Sequence, residues 1–414
     1  MVGGQTRTPN LRDPVGHALQ AVLDEARPLG GGELPSYIPE LSHADPERLG
    51  VAVVSTSGSV YEAGDTETEF TIQSVSKPFV FALALRQSGL ADVTQHVGLE
   101  PSGEPFNAIS LEEASGRPLN PMINAGAIVT SSLIAGRTAS EKFATIHAGL
   151  NAFAARELDL NDAVFESELA TGDRNRALAY LALSAGALGS DVDAATGAYF
   201  RQCSLMVTAR DLAVMAVTLA TGGRNPVSGE RVVDEDVARW TTAVMASCGM
   251  YDASGDWLLR VGLPAKSGVG GGIVAVQPDQ FGIGTFSPRL DERGNSVRGI
   301  AMLEGLSTRY GMHLLSHREA PLSSIAELTR DEVSGETVAL LRGEILFAGA
   351  EEILTRLAPF VVADGCLVLD FTNVTRVGGG SRTMFRGLQD AVTSGADGRP
   401  HIAVRDPHGV LGDD

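Results

Sequence analysis

The chain has 414 residues, of which 43% are hydrophobic and 20% are charged, and its formal net charge is −19. This length exceeds that of a typical single domain, so two domains are expected. A surface this acidic repels phosphate backbones and anionic lipids, which argues against nucleic acid and membranes as partners.

The cysteine pattern and the lack of export features indicate a reducing compartment. Cys203, Cys248 and Cys366 are odd in number and far apart, and their spacing fits neither a disulfide framework nor a metal site. The first 19 residues lack the apolar segment of a signal peptide, and no run of 18 apolar residues occurs. We therefore expect a cytoplasmic protein.

The first part of the chain, residues 1–318, combines strand and helix patterns. Residues 49–65 alternate apolar and small polar residues around Gly58, which predicts a β-hairpin. Residues 77–89 have the apolar spacing of a helix that ends at Gly89. Helical patterns dominate from about 125 to 250, and residues 281–303 are typical of two antiparallel strands joined at 291–295. We expect an antiparallel sheet with a helical subdomain inserted.

The composition changes near residues 316–335, where polar and charged residues predominate. This change predicts a linker at residues 319–334. Residues 335–414 then alternate strand and helix patterns, which is typical of a small α/β domain. The predicted fold class is therefore a multi-domain α/β protein.

Lysine is rare in this chain, which makes each lysine informative. The 32 basic residues include three lysines, Lys77, Lys142 and Lys266. Lys77 follows Ser74 by three residues, and a helix start near Ser74, fixed by Pro78, would place both side chains on one face. A neutral lysine can accept the serine proton, whereas arginine stays protonated. The alternative is a chance pattern with Lys77 on the surface.

A second motif strengthens the interpretation of Ser74 and Lys77 as a catalytic pair. Lys266-Ser267-Gly268 is a K-[ST]-G signature, and it follows S-x-x-K in the order described for serine β-lactamases and penicillin-binding proteins. In those enzymes the second motif lies on an edge strand facing the nucleophile. The alternative is a glycine-rich turn without a catalytic role.

Further segments carry a resemblance to the serine-dependent glutaminases, which have a β-lactamase-like fold. The resemblance covers roughly residues 15–317 and implies hydrolysis of L-glutamine to L-glutamate and ammonia through a seryl acyl-enzyme, with no metal or organic cofactor. The matching segments are SYIPEL (36–41), FTIQSVSKPF (70–79), EPSGEPFN (100–107), RPLNPMINAGAI (117–128), SELATGDRNRALA (167–179), YFRQCSLMVT (199–208), SCGMYDASG (247–255) and PAKSGVGGGI (264–273).

The resemblance assigns a role to each matching residue. Ser74 would be the nucleophile, Lys77 its base and Tyr251 a proton relay, while the charge of Lys266 would lower the pKa of Lys77. Glu168 would bind the α-ammonium group, and the backbone N–H groups of Ser74 and Val269 would form an oxyanion hole. The substrate contacts implied are Tyr37, Ser74, Asn124, Glu168, Asn175, Tyr199, Tyr251 and Val269.

Several of these residues also have ordinary structural interpretations when each is taken alone. Asn124 could be a turn residue, Asn175 a helix-start residue and Tyr199 a half-buried core residue. The family association further implies a homodimer or a homotetramer. L-glutamine would be the small-molecule partner.

The C-terminal part resembles a STAS domain, the fold of anti-sigma-factor antagonists. The resemblance rests on VALLRGEILFAGAEEILTRL (338–357) and LVLDFTNVTRVGGGSRTMFRGL (367–388). Many STAS domains carry a phosphorylated serine after an aspartate before the second helix. Here Gly380 precedes Ser381 instead, so the chain departs from the pattern of a phosphorylation switch, and Ser381 at a helix N-terminus is the remaining candidate. A structural appendage is the alternative to a regulatory or oligomerising domain.

Two other functions compete with a glutaminase. The first is a β-lactamase or peptidase of the same fold, against which stand the missing S-D-N motif and the missing export signal. The second is a STAS signalling module on an inactive scaffold, against which stand the two intact lysine motifs.

Overall fold

The computed structural model describes residues 13–35, 38–103, 111–112, 114–316, 323–330, 336–361, 366–391 and 402–412. The chain forms two compact units, Met1–Ser316 and His317–Asp414. Within the described ranges, none of the helices combines the length and the apolar composition needed to cross a membrane.

The first unit contains helices and strands in an order that places most helices between two groups of strands. Its elements are α1 (Asp13–Ala26), β1 (Gly50–Ser55), β2 (Val60–Gly64), β3 (Phe70–Thr71), α2 (Lys77–His96), α3 (Asn124–Leu133), α4 (Ala139–Ala154), α5 (Asp162–Thr171), α6 (Asp173–Ser184), α7 (Val192–Cys203), β4 (Met206–Val207), α8 (Ala209–Ala220), α9 (Glu235–Cys248), α10 (Ser254–Arg260), β5 (Ala265–Ser267), β6 (Gly272–Gln277), β7 (Phe281–Phe286) and α11 (Val297–Tyr310).

A five-stranded antiparallel sheet forms the centre of this unit, in the order β2-β1-β7-β6-β5. The predicted hairpin is confirmed, with Val54 opposite Val60 across the turn. Both faces of the sheet are covered. On β1, Val51 and Val53 belong to one core cluster with α1 and α11, while Ala52 and Val54 belong to a second cluster with the inserted helices. The alternation of side chains along a strand explains this division.

Helix α8 lies directly on the sheet because two glycines of β7 make room for it. A Cβ atom at Gly282 would lie 2.1 Å from the Val217 backbone nitrogen, and one at Gly284 would lie 2.1 Å from the Ala209 carbonyl oxygen. Both are backbone contacts, so neither neighbour can move aside as a side chain could. The glycines therefore fix the distance between the sheet and the helical subdomain.

The prediction of two antiparallel strands over residues 281–303 is wrong in its second half. Residues from Val297 onwards form helix α11, and the Ser296 side chain accepts a hydrogen bond from the Gly299 N–H at the start of this helix. Met302, Leu303 and Leu306 are its buried apolar residues, at helical spacing. The segment considered in the sequence ends at Leu303, so it contains too little of α11 to show the helical spacing of its apolar residues.

The second unit alternates strands and helices around a four-stranded sheet in the order β11-β10-β9-β8. The pairs β9–β10 and β10–β11 are parallel, and β8–β9 is antiparallel. The elements are β8 (Ile325–Arg330), β9 (Thr337–Ile345), α12 (Phe347–Leu357), β10 (Leu367–Val377), α13 (Gly379–Ala391) and β11 (Ile402–Arg405).

Strand β8 lies inside the segment predicted as a linker, 319–334, so the linker prediction is wrong for Ile325–Arg330. Only Ile325 of this strand is buried, and the other five residues are exposed. An edge strand needs only its backbone to pair with β9, and its side chains can remain polar. The exposure of this edge strand explains the polar composition that suggested a linker.

Candidate active site

Ser74 lies in a short 3₁₀ turn, Gln73–Ser76, between β3 and α2. The α-helix begins at Lys77 with Pro78 in its first turn, so the expected helix start at Ser74 is displaced by one turn. A 3₁₀ turn has three residues, so Ser74 and Lys77 still lie on the same side. Gln73 has φ 47°, a strained conformation for a residue other than glycine. Such strain at a buried turn is typical of functional sites.

Buried polar side chains that the sequence analysis did not identify support this turn. The Ser76 hydroxyl donates to the Gln73 carbonyl oxygen at 2.7 Å. The Gln202 amide of α7 donates to the Ser76 hydroxyl at 3.2 Å. The Ser131 hydroxyl of α3 donates to the Gln202 side-chain oxygen at 3.0 Å. All three side chains are buried. In the sequence, this network could have been found from polar residues that interrupt otherwise apolar helical segments.

Lys77 is 1% exposed, and its amine points into the helical subdomain. Nζ donates to the Asn124 side-chain oxygen at 2.7 Å and to the Met122 carbonyl oxygen at 3.3 Å. Burial lowers the pKa of Lys77 to about 7, against the opposing influence of Cys203 and Glu168. The surface alternative for Lys77 is therefore wrong. A substantial fraction of this amine is neutral near pH 7.

Asn124, the first residue of α3, joins the predicted site residues of three helices. Its side-chain oxygen also accepts from the Tyr199 hydroxyl of α7 at 3.3 Å. Its side-chain nitrogen donates to the Asn175 oxygen of α6 at 3.0 Å. The two ends of one amide thus connect Lys77, Tyr199 and Asn175. The structure brings these four predicted residues together, with Asn124 and Asn175 each in the first turn of its helix.

Glu168 of α5 is a buried carboxyl group beside the same cluster. Burial raises its pKa to about 7, while a hydrogen bond from Gln73 and the charge of Lys77 act in the opposite direction. The carboxyl group of Glu168 and the amine of Lys77 therefore titrate in the same range of pH. A cationic group bound beside Glu168 would favour the ionised carboxylate.

Tyr251 and Lys266 meet at one backbone carbonyl. The Ser267 carbonyl oxygen accepts from the Tyr251 hydroxyl at 3.3 Å and from Lys266 Nζ at 2.5 Å. Lys266 Nζ also lies 3.7 Å from the centre of the Tyr251 ring. A hydrogen bond links Tyr251 to the Ser74 side chain, and burial raises the pKa of Tyr251. The phenol is therefore neutral at ordinary pH and can donate a hydrogen bond.

Lys266 is the second buried lysine of the predicted site. It is 0% exposed, and burial, followed by repulsion from Lys77, lowers its pKa well below the ordinary value. Burial, not Lys266, is the main cause of the low pKa of Lys77. Burial is thus the largest cause of the low pKa at both amines, and the repulsion by Lys77 adds to it at Lys266.

Val269 lies in the turn between β5 and β6, which packs against the turn of Ser74. A Cβ atom at Gly268 would lie 2.9 Å from Val75 Cγ2 and 3.1 Å from the Ile72 carbonyl oxygen, so a larger residue would separate the two turns. Among the described residues, no acceptor bonds the Val269 N–H. A cavity of about 340 Å³ borders Val269. Tyr37, the remaining predicted contact, lies outside the described residues.

Lys142, the third lysine of the chain, is also buried. It is 3% exposed, and Nζ donates to the carbonyl oxygens of Ser132 and Ile134, each at 2.7 Å. These carbonyls lie at the C-terminal end of α3, where a cation is favourable. Lys142 thus supports the helix that begins with Asn124.

A family model described as glutaminase matches residues 32–315, which is most of the first unit. The chain belongs to the glutaminase family. Glutaminase 2 of Bradyrhizobium diazoefficiens is 50% identical over 326 residues, covering 78% of this chain. The chain spans about half of that relative, 52% of its length. The glutaminase of Corynebacterium glutamicum is 42% identical, covering 97% of each chain.

A solved structure is similar to this glutaminase-family chain over both of its units. A crystal structure of Mglu in its glutamate form has a TM-score of 0.85 and 37% identity, and the match covers 95% of this chain and 99% of that one. The predicted activity, hydrolysis of glutamine to glutamate by an amidohydrolase, is thus confirmed at the level of the family. The α/β class is confirmed as well.

Proposed function

We propose that this chain hydrolyses L-glutamine through a γ-glutamyl ester of Ser74, with Lys77 as the general base. The observation that carries the proposal is the position of Lys77. Lys77 follows Ser74 by one 3₁₀ turn, its side chain is buried, and its pKa is lowered to about 7. An efficient general base has a pKa near the working pH. An arginine could not take this part because it does not lose its proton.

In the first half of the proposed reaction, Ser74 Oγ attacks the side-chain carboxamide carbon, and its proton passes to Lys77. The N–H groups of Ser74 and Val269 stabilise the tetrahedral oxyanion. The C–N bond then breaks while Tyr251 donates a proton to the leaving nitrogen, and Lys77 returns a proton to Tyr251. Ammonia and the Ser74 ester are the products of this half.

In the second half, water attacks the ester carbonyl carbon and gives its proton to Lys77. The C–O bond to Ser74 breaks, and the serine oxygen regains a proton from Lys77. L-glutamate leaves, and the site returns to its starting state. All proton transfers use groups within the buried cluster, and the proposed reaction uses no metal or organic cofactor.

Recognition of the amino acid end of the substrate uses the remaining polar groups. Glu168 pairs with the α-ammonium group, because a buried carboxylate requires an opposite charge. The amides of Asn124 and Asn175 and the phenols of Tyr199 and Tyr37 serve the α-carboxylate and orient the substrate. Lys266 donates to the Ser267 carbonyl oxygen and lies over the Tyr251 ring, and so holds both groups in place.

One assay separates this proposal from its alternatives. Purified wild-type protein and Ser74→Ala are each mixed with glutamine, asparagine and a chromogenic cephalosporin, and ammonia and colour are followed. Ammonia from glutamine with wild type alone, and an ester trapped on Ser74 by acid quench and mass spectrometry, support the proposal. Colour would favour a β-lactamase-like enzyme, and a folded protein without either product would favour a signalling module. Equal ammonia release by Ser74→Ala would refute the serine mechanism.

We also propose that the first unit has the β-lactamase-like fold and that residues 335–414 are a STAS-like regulatory or assembly domain. The parallel pairing of β9, β10 and β11, with α12 and α13 between them, supports the STAS-like assignment. Ser381 is buried near the start of α13, which favours a role other than phosphorylation. A cytoplasmic homodimer or homotetramer completes the proposal.

A further inference from the structure

The segment between β7 and α11 contains a fully buried asparagine that has no part in the predicted site. Asn295 ends the turn of residues 291–295 and is 0% exposed. Its backbone N–H donates to the Asp291 carboxylate at 2.9 Å, and its carbonyl oxygen accepts from the Asp291 N–H at 2.8 Å. These two bonds fix the backbone of Asn295 before α11 begins.

The side chain of Asn295 holds Ser267, the residue whose carbonyl oxygen binds Lys266 and Tyr251. The Ser267 hydroxyl donates to the Asn295 side-chain oxygen at 2.5 Å. Ser267 is itself fully buried. Its hydroxyl is therefore committed to Asn295 and is not turned towards a substrate, although the serine is the second residue of the K-[ST]-G motif.

Strand β5 has three residues and lies at the edge of the sheet, so it pairs only with β6. Pairing on one side leaves the orientation of its outer peptide groups weakly determined. The Ser267 carbonyl is such a group, since it binds Lys266 Nζ and the Tyr251 hydroxyl. The hydrogen bond from the Ser267 hydroxyl to the side chain of Asn295 fixes the orientation of this carbonyl group.

We propose that Asn295 is a positioning residue that acts through Ser267 to orient Tyr251 and Lys266. This inference rests on the proposed function, in which Tyr251 protonates the leaving ammonia. Asparagine suits the position because its oxygen accepts the hydroxyl proton without placing a negative charge beside the two buried amines. The side-chain nitrogen of Asn295 has no hydrogen-bond partner within the described residues, so its side-chain oxygen alone makes the contact with Ser267.

The test is a double-mutant cycle on Asn295→Ala and Ser267→Ala, measured as kcat and KM for glutamine at a temperature well below the Tm of each variant. Each single variant should lower kcat about 10- to 100-fold, as displacements of about 1 Å do, with KM changed little. The double variant should be no slower than the slower single variant, because both changes remove one contact.

Two further measurements separate positioning from stability. With γ-glutamyl-p-nitroanilide, whose leaving group needs less protonation, the loss of kcat should be much smaller than with glutamine. Asn225→Ala is the matched control, because Asn225 is another fully buried turn asparagine, whose oxygen accepts from the Val227 and Ser228 N–H groups. This variant should lower Tm while kcat per folded molecule stays near that of wild type.

The outcomes distinguish this inference from the proposed function. A wild-type protein without glutaminase activity would refute the proposed function itself. An active wild type with full kcat in a folded Asn295→Ala would refute the positioning role alone. If that variant does not fold, Ser267→Ala decides, since full kcat there equally refutes the role. Losses that multiply in the double variant would also refute it.

Discussion

The pH dependence of glutamine hydrolysis follows from the two buried groups that titrate near pH 7. In the proposed mechanism Lys77 must be neutral to accept the Ser74 proton, and burial lowers its pKa to about 7. With that pKa, about 9% of the amine is neutral at pH 6 and about 91% at pH 8. We therefore expect kcat to fall about tenfold between pH 8 and pH 6.

Glu168 adds a second factor to kcat/KM. Its carboxyl group has a pKa raised to about 7 by burial and must be ionised to bind an ammonium group. The same arithmetic gives a further fall of about tenfold, or about 100-fold in total, for the free enzyme. Bound substrate keeps Glu168 ionised, so kcat lacks this second factor. Because the two groups interact, the measured midpoints belong to the pair.

The measurement is the initial rate of ammonia release between pH 5.5 and 9 at constant ionic strength. Glu168→Gln is the comparison variant, and its kcat/KM should have a shallower acid limb that reports one proton instead of two. A kcat that is flat between pH 6 and pH 8, or that rises below pH 7, would refute the role of Lys77 as the base.

Three further predictions concern individual parts of the molecule. Lys77→Arg should lower kcat at least about 100-fold. Lys142→Arg, at another buried lysine, should lose about 1–3 kcal/mol of stability by overpacking and keep its kcat. Kinetics and thermal melts on both variants check this pair, and equal kcat values for the two variants would contradict it. N-acetylglutamine lacks the positive charge that Glu168 is proposed to bind and should be hydrolysed poorly, so turnover as fast as that of glutamine would exclude this assignment of Glu168. A chain ending at Ser316 should remain folded and active, and complete loss of activity in a folded truncate would show that the second unit contributes to the site.

The sequence predicted the central features of the fold and the site because they depend on local patterns. Alternation identified the hairpin of β1 and β2, and strand–helix alternation identified the α/β nature of the second unit. The three-residue spacing of Ser74 and Lys77 places both on one side in a 3₁₀ turn, as it would in an α-helix. The resemblance supplied Asn124, Glu168 and Tyr199 as a group, which spacing alone could not have done.

The features that the sequence predicted wrongly or did not reveal depend on tertiary contacts. Lys142 is polar by composition, yet the end of α3 buries it. Strand β8 lies in a largely polar segment with five of its six residues exposed, and it is recognisable by its pairing with β9. Residues Gln202 and Asn295 are ordinary polar residues in the sequence, and their importance comes from partners that are distant along the chain. Patterns within a short window contain no information on such partners.

The burial of all three lysines also determines how the lysine side chains of the folded chain react with amine-directed reagents. Active esters and aldehydes require an accessible amine, and Lys77, Lys142 and Lys266 are each at most 3% exposed. Proteases that cleave after lysine face the same barrier. Covalent labelling of any lysine therefore requires the surrounding structure to open, so the labelling rate of each lysine would measure how often its own part of the first unit unfolds.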